Sequence, residues 1–289
     1  SDTSPLPQED SEVGRLIKAV LEADGVTVRE GFLADSVRVE NGEKVMVAKN
    51  ELGREVTVRS EEILVAAGRI PVTGTLALEN AGVEVGKFGI TVDEYLKTTA
   101  ENIYAAGDIT GVLPFTHVAE YQAKVALRNA LFPVRTKADY SSVPWTTFTA
   151  PEVARVGLTE DEAREKHGGD VKVWRKDFAD VDRAIANGNT VGFEKIVTTK
   201  KGRILGAHIV GPDAGNIIQE LVLAMRKGMS VGDISQTIHV YPTLVQVNQR
   251  AADGFYREKL FEGAAGTAFE AYFEVRRRVG RVREVWRRR

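Results

Sequence analysis

A chain of 289 residues with a net charge of −2 is long enough for one large or two ordinary domains, each burying its own core. Its 43% hydrophobic and 28% charged residues exclude a mostly disordered chain. The lack of cysteine excludes disulfides, cysteine zinc sites, thiol nucleophiles and a dithiol redox pair from what these residues do unaided. No apolar run reaches about 18 residues, and the opening SDTSPLPQED carries neither a basic nor an apolar targeting region, so the expectation is a cytoplasmic protein.

In residues 10–24, Val13, Leu16, Ile17, Val20 and Leu21 stand at helical spacing, with Gly25 as C-cap. Short β-prone runs follow at 26–28, 36–39, 44–48, 55–58 and 63–66, and Asn41-Gly42 supplies turn chemistry between two of them. The chain contains no GxGxxG and no GxxxxGK[ST], so neither a dinucleotide nor a triphosphate finds its usual phosphate cradle. The first α/β region is therefore expected to begin part-way through a domain.

Further on, 89–92 and 103–106 read as short strands and 116–131 as a helix. Strand patterns then dominate at 153–156, 171–174, 190–198 and 203–210, with Lys200-Lys201-Gly202 as a hairpin turn. Thr159 and Glu162 form a capping box, and helices are expected over 216–227 and 243–260. Strands followed by helices indicate an α+β layer.

Separated segments carry a resemblance: ILVAAGRIP (63–71), TTAENIYAAGDIT (98–110), VPWTTFTAPEVARVGLTEDEA (143–163), GRILGAHIVGPDAGNIIQELVLAM (202–225) and HVYPTLVQ (239–246). Together they resemble the pyridine nucleotide–disulfide oxidoreductases, the group of dihydrolipoamide dehydrogenase, glutathione reductase and mercuric reductase, over roughly residues 10–260. The run DRAIANGNTVGF (182–193) points toward the mercuric-reductase-like branch. The resemblance implies the C-terminal parts of the NAD(P)- and FAD-binding domains, α/β in class, followed by the family's α+β dimerisation domain. The boundaries expected are 1–70 for the remainder of the NAD(P)-binding domain, 71–138 for the FAD-binding segment, 139–262 for the dimerisation domain and 263–289 for a basic tail.

A strand of small residues, Ala105 and Ala106, ending in Gly107 lets backbone approach a flat ligand, and Asp108 then stands at the strand's end. The resemblance assigns Asp108 to the ribityl chain of FAD and places Gly107, Thr116, His117, Val118 and Ala119 at the flavin. Gly68 and Arg69 are implied as further cofactor contacts. A helix opening near Thr116 would aim its positive end at the same place. Apart from the motif, Asp108 reads as a turn residue and His117 as an exposed helix-start residue.

Family members relay protons through a His-Pro-Thr-x-x-Glu segment that reaches across the dimer. Here that segment is Tyr241-Pro242-Thr243-Leu244-Val245-Gln246, so both members of the relay are changed. A phenol with an ordinary pKa of about 10 is a poor base at neutral pH, and a glutamine cannot stabilise an imidazolium. Tyr241 and His239 are the candidate catalytic residues, with a structural histidine as the rival reading of His239. The Tyr241-Pro242 bond is a candidate cis bond. No metal site is expected.

The resemblance also implies a homodimer through residues 140–260, an N-terminal half of the same enzyme carrying the redox cysteines and the NAD(P) loop, and FAD with NAD(P)H as cofactors of the complete protein. The chain alone is expected to be inactive, and the competing reading is a non-catalytic dimerisation or tethering module derived from the same family. In the tail, Phe269, Tyr272, Phe273, Val279, Val282 and Trp286 recur at helical spacing among Arg276, Arg277, Arg278, Arg281, Arg283, Arg287, Arg288 and Arg289. Packing against the body and attachment to an anionic membrane surface both stay open. Nucleic acid is not expected, since no binding module or aromatic platform accompanies the arginines.

Overall fold

The computed structural model describes residues 4–262 and 266–277. They belong to two compact units, Phe32–Val143 and the combination of Ser1–Gly31 with Pro144–Arg289.

In the unit Phe32–Val143, β1 (Phe32–Glu40), β2 (Glu43–Asn50) and β3 (Glu55–Ser60) form an antiparallel meander in chain order. Asn41 (φ 50°) and Gly42 (φ 85°) join the first two through the left-handed turn that suits strand twist. The run 63–66 is not a strand: Leu64 is 92% and Val65 80% exposed. Residues 26–28 are likewise not a strand, because β propensity forms one only where a neighbouring strand accepts its hydrogen bonds.

The same unit holds β4 (Val85–Gly86), β5 (Gly89–Ile90) and α2 (Thr116–Leu131), packed on Val83, Ile90 and Ala105 and on Leu96, Val125 and Ala126. The expected strand 103–106 reduces to a single bridge between Lys97 and Tyr104. Buried Asn129 ties down the end of α2: Nδ2 donates to the Tyr95 and Thr136 carbonyls (2.9 and 2.8 Å), and Oδ1 accepts from Thr136 N–H at 2.7 Å.

The other unit opens with α1 (Ser11–Ala23), closed as expected at Gly25 (φ 88°), where Val26 N–H reaches the Leu21 carbonyl at 2.9 Å. β6 (Pro144–Thr147), β7 (Glu152–Gly157), β8 (Val171–Asp177), β9 (Phe193–Thr199) and β10 (Ile204–Gly211) form a five-stranded antiparallel sheet in the order β6-β7-β10-β9-β8. β6 has no counterpart in the expected elements. Every residue of β9 and β10 is buried, so the sheet is covered on both faces.

On one face α5 (Ala214–Ile217), α6 (Gln219–Lys227) and α8 (Gln246–Phe261) enclose Ile196, Ile209, Ile218, Leu221 and Val247. The expected helix 216–227 thus divides at Ile218. The expected helix 243–260 starts only at Gln246; ahead of it the Thr243 hydroxyl donates to the Val240 carbonyl at 2.6 Å, and the Tyr241-Pro242 bond is cis. On the opposite face α1 sets Val13 and Ile17 against Val153, Phe193 and Val210, while Ala163 of α3 (Glu160–His167) covers Val171, Val197 and Leu205. The Thr159–Glu162 capping box opens α3 as expected. Short helices α4 (Asp182–Asn187) and α7 (Val231–Gln236) complete the unit, and residues 266–277 are helical. Of the tail, positions 278–289, with Val279, Val282, Trp286 and most of the arginines, lie outside the described residues.

Charge, as well as apolar packing, holds α1 to the sheet. Lys195, with a side chain 5% exposed, places Nζ 2.5 Å from Asp10 Oδ2 and 2.5 Å from Glu12 Oε1. Fully buried His208 lies 2.9 Å from Glu9 Oε2, and Trp145 Nε1 donates to Glu9 Oε1 at 2.7 Å. Burial opposes ionisation of Glu9, yet its bonds from His208 and Trp145 prevail and hold the carboxyl below its ordinary value; His208 and Lys195 do the same for Asp10.

Glu194, next in sequence and on the opposite face, is fully buried with no hydrogen-bond partner. Burial, reinforced by the Glu220 carboxylate, pushes its carboxyl well above 4.5.

Removing the buried cation in Lys195→Met strands the carboxylates, and chemical denaturation should show a loss of about 3–5 kcal/mol. Because the Glu9 and Asp10 carboxyls are depressed in the fold, their stabilisation is complete above 4.5 and 3.8 and is lost as pH falls through the lower folded values. Glu194 has the opposite sign: stability falls as pH rises from 4.5 toward its raised folded value. Glu194→Gln should therefore raise the melting temperature measured at pH 7 and leave it unchanged near pH 4.

Candidate functional site

The small residues Ala105 and Ala106 lead into Gly107, whose φ of 87° and ψ of −162° belong to glycine. A Cβ there would stand 3.1 Å from Ala119 Cβ, so this backbone lies directly against the first turn of α2. Gly107 N–H donates to Gln122 Oε1 (2.6 Å), and Gln122 Nε2 donates to the Tyr140 hydroxyl (2.9 Å). The Gly107 carbonyl accepts from both the amide and the hydroxyl of Thr110, each at 2.9 Å. The loop is thus fixed from both sides by groups that are themselves buried.

Asp108 follows as the first residue of a short 3-10 turn, exposed, and its carboxylate has no hydrogen bond or ion pair among the described residues. α2 begins after Phe115 with no side chain capping it. Thr116 and His117 are exposed, Val118 is buried and Ala119 half-buried, and the His117 ring stacks on Phe115 with centroids 5.4 Å apart. Gly68 has φ 118°, and Arg69 Nη1 donates to the Pro114 carbonyl at 3.3 Å, which brings 68–69 to the segment leading into α2. The structure therefore gathers Gly107, Ala119 and the start of α2, with Asp108 and Arg69 at its margin. An exposed carboxylate beside an uncapped helix start and a glycine with no room for a side chain suits a hydroxyl-bearing, anionic, flat ligand.

Sequence reading missed Gln122 and Tyr140. The signal was present: Gln122 interrupts the apolar stripe Val118, Val125, Ala126, and a polar residue on a buried stripe needs a partner.

His239 and Tyr241 belong to the other unit. His239, with a side chain 5% exposed, has Nδ1 2.9 Å from the Thr237 carbonyl and Nε2 3.0 and 3.1 Å from the two Glu220 oxygens. Asn248 Nδ2 donates to Glu220 Oε2 at 2.7 Å. Both ring nitrogens thus face acceptors. Tyr241, 65% exposed, follows Ile238 and Val240 in an exposed run, and Gln246 is buried with Oε1 unpartnered.

Among the described residues no group of three or more His, Cys, Asp or Glu could hold a metal ion, and no helix is long and apolar enough to cross a membrane.

Residues 2–123 match the model of the pyridine nucleotide-disulphide oxidoreductases, and residues 143–252 match that family's dimerisation domain. A mercuric reductase of Bacillus cereus is 38% identical over 244 residues, covering 83% of this chain and 38% of the relative. A dihydrolipoyl dehydrogenase of Corynebacterium glutamicum is 36% identical over 255 residues, covering 86% of this chain and 54% of the relative. Among solved structures, the Cu(II) complex of the HOCl-induced flavoprotein disulfide reductase RclA from Escherichia coli superposes with a TM-score of 0.81 at 27% identity, covering 87% of this chain and 56% of that one. LpdA of Mycobacterium tuberculosis gives 0.78 at 29% identity, covering 85% of this chain and 53% of that one. The chain spans about half the length of these relatives. With both of its regions matched in family order, the chain belongs to the pyridine nucleotide-disulphide oxidoreductases.

Proposed function

We propose that this chain is the C-terminal part of an FAD-dependent NAD(P)H oxidoreductase of the disulphide reductase family, mercuric-reductase-like or dihydrolipoamide-dehydrogenase-like. The observation that carries the reading is the Gly107–Asp108 turn set against the uncapped start of α2. When bound, FAD supplies two-electron transfer between NAD(P)H and an acceptor. Gly107, with Ala119 beside it, would give the ring system close access to backbone, Asp108 would accept hydrogen bonds from ribityl hydroxyls, and the first-turn amides of Thr116, His117 and Val118 would favour negative charge there. Gly68 and Arg69 flank the same loop.

The division into residues 1–70, 71–138 and 139–262 is part of this reading. So is a cytoplasmic homodimer through residues 140–260, with the N-terminal half of the same enzyme contributing the cysteines and the NAD(P) site. The exposed run of Ile238, Val240 and Tyr241 is apolar surface of the kind a second copy covers, and it would deliver the Tyr241 hydroxyl to the partner's active site. Phe269, Tyr272 and Phe273 are exposed on the helical stretch 266–277, and with the tail's arginines they suit peripheral attachment to an anionic membrane surface.

The natural protein should prove longer than 289 residues by intact mass and yellow by visible absorbance; a colourless protein of this length would replace the enzyme with a non-catalytic dimerisation module. In the yellow protein, Asp108→Ala should lower flavin content at fixed protein concentration by about tenfold, the loss of a charge-assisted hydrogen bond. Gly107→Val should abolish flavin binding, because its side chain meets Ala119 at a φ that a β-branched residue does not adopt. Undiminished flavin in both variants would remove this loop from the cofactor site.

A further inference from the structure

Beneath the β9–β10 hairpin, Lys172, Trp174, Lys200, Lys201, Phe255 and Glu258, with Lys259, line a recess of about 570 Å³. Its floor is aromatic and held in place. Trp174, 7% exposed, donates Nε1–H to Thr198 Oγ1 at 2.8 Å and meets the Phe255 ring edge-on at 5.9 Å. Gly254 permits this, since a Cβ there would stand 2.9 Å from the Trp174 ring.

The rim is cationic and equally held. Lys172 is fixed by Glu258 at 2.6 Å, and Lys259 Nζ sits 5.9 Å from the centroid of Phe255. The turn carrying Lys200 and Lys201 is pinned on both sides: Lys200 N–H donates to the Asp170 carbonyl at 3.1 Å, and the Gly202 carbonyl accepts from Val231 N–H at 2.8 Å. Lys200, Lys201 and Lys259 make no ion pair among the described residues. Asp170 Oδ1 accepts from the Lys200 amide at 3.2 Å and, among the described residues, makes no ion pair with the lysines. A chain with a net charge of −2 thus places three ammonium groups without ion pairs around one aromatic-floored hollow. Low-dielectric walls concentrate such a field toward an anion, and aromatic edges favour a flat apolar group beside it.

We propose that this recess binds a small phosphorylated ligand bearing a flat apolar group, of the nucleoside diphosphate class, with Lys200, Lys201 and Lys259 on the phosphates and Phe255 beside the base. The site draws nothing from the flavin reading and stands or falls apart from it.

The test is an amide- and indole-resolved NMR titration of the full chain with ADP, inorganic tripolyphosphate, adenosine and sulfate. ADP should shift the Lys200–Gly202 amides and the Trp174 indole N–H with a dissociation constant of roughly 0.1–1 mM. Tripolyphosphate should shift the amides more than the indole, adenosine alone should bind at least tenfold more weakly than ADP, and Lys200→Glu with Lys201→Glu should weaken ADP by about tenfold or more. Lys259→Glu, on α8 and not on the turn, should weaken it in the same direction. Shifts confined to the arginines from Arg276 onward, sulfate binding as tightly as ADP, or unchanged affinity in both lysine variants would overturn the proposal.

Discussion

The unit built from residues 1–31 and 144–289 depends on Lys195, an ammonium group that its sheet cannot bury alone. β9 is covered on both faces, and alternation sends Lys195 to the face where Val13 and Ile17 also pack. A charge there is tolerable only with partners, and Asp10 and Glu12 supply them from the start of α1. His208, on the neighbouring β10, is also fully buried, and its Nε2 lies 2.9 Å from Glu9 Oε2. Apolar contact would seat α1 on the sheet in several registers, whereas the charges accept one.

That arrangement crosses the boundary drawn by the family comparison. Residues 2–123 match one model and 143–252 another, yet the opening helix forms a compact unit with the second region. The family's dimerisation sheet in this chain is thus completed by a segment assigned, on sequence, to a nucleotide-binding domain. Helix and sheet become mutually dependent, since burying the Lys195 ammonium without Asp10 and Glu12, or those carboxylates without Lys195, is costly.

In Phe32–Val143 the controlling feature is steric. Gly107 allows its backbone to lie against Ala119, and Gln122, backed by Tyr140, holds it there, with exposed Asp108 following as the next residue. A site of this kind uses main-chain amides and one carboxylate and demands little of the surrounding side chains.

By itself the sequence determined the elements whose signals are local. The stripe of Val13 and Ile17, the Asn41-Gly42 and Lys200-Lys201-Gly202 turns, the Thr159–Glu162 box and the long runs of β9 and β10 all formed where their periodicity and turn chemistry placed them. The close approach at Gly107 was legible from the small residues before it, although the expected strand 103–106 reduced to one bridge. Tertiary structure decided everything that needs a partner. Residues 63–66 carry strand composition and find no neighbour, β6 was not expected as a strand yet pairs with β7, and helix 216–227 breaks at Ile218. It also decided that Glu9, Asp10 and Glu12 face Lys195 and His208, that Gln122 reaches Gly107, and that both nitrogens of His239 face acceptors. Propensity and period act between neighbours in sequence, whereas burial of a charge is settled by what the fold brings across the chain.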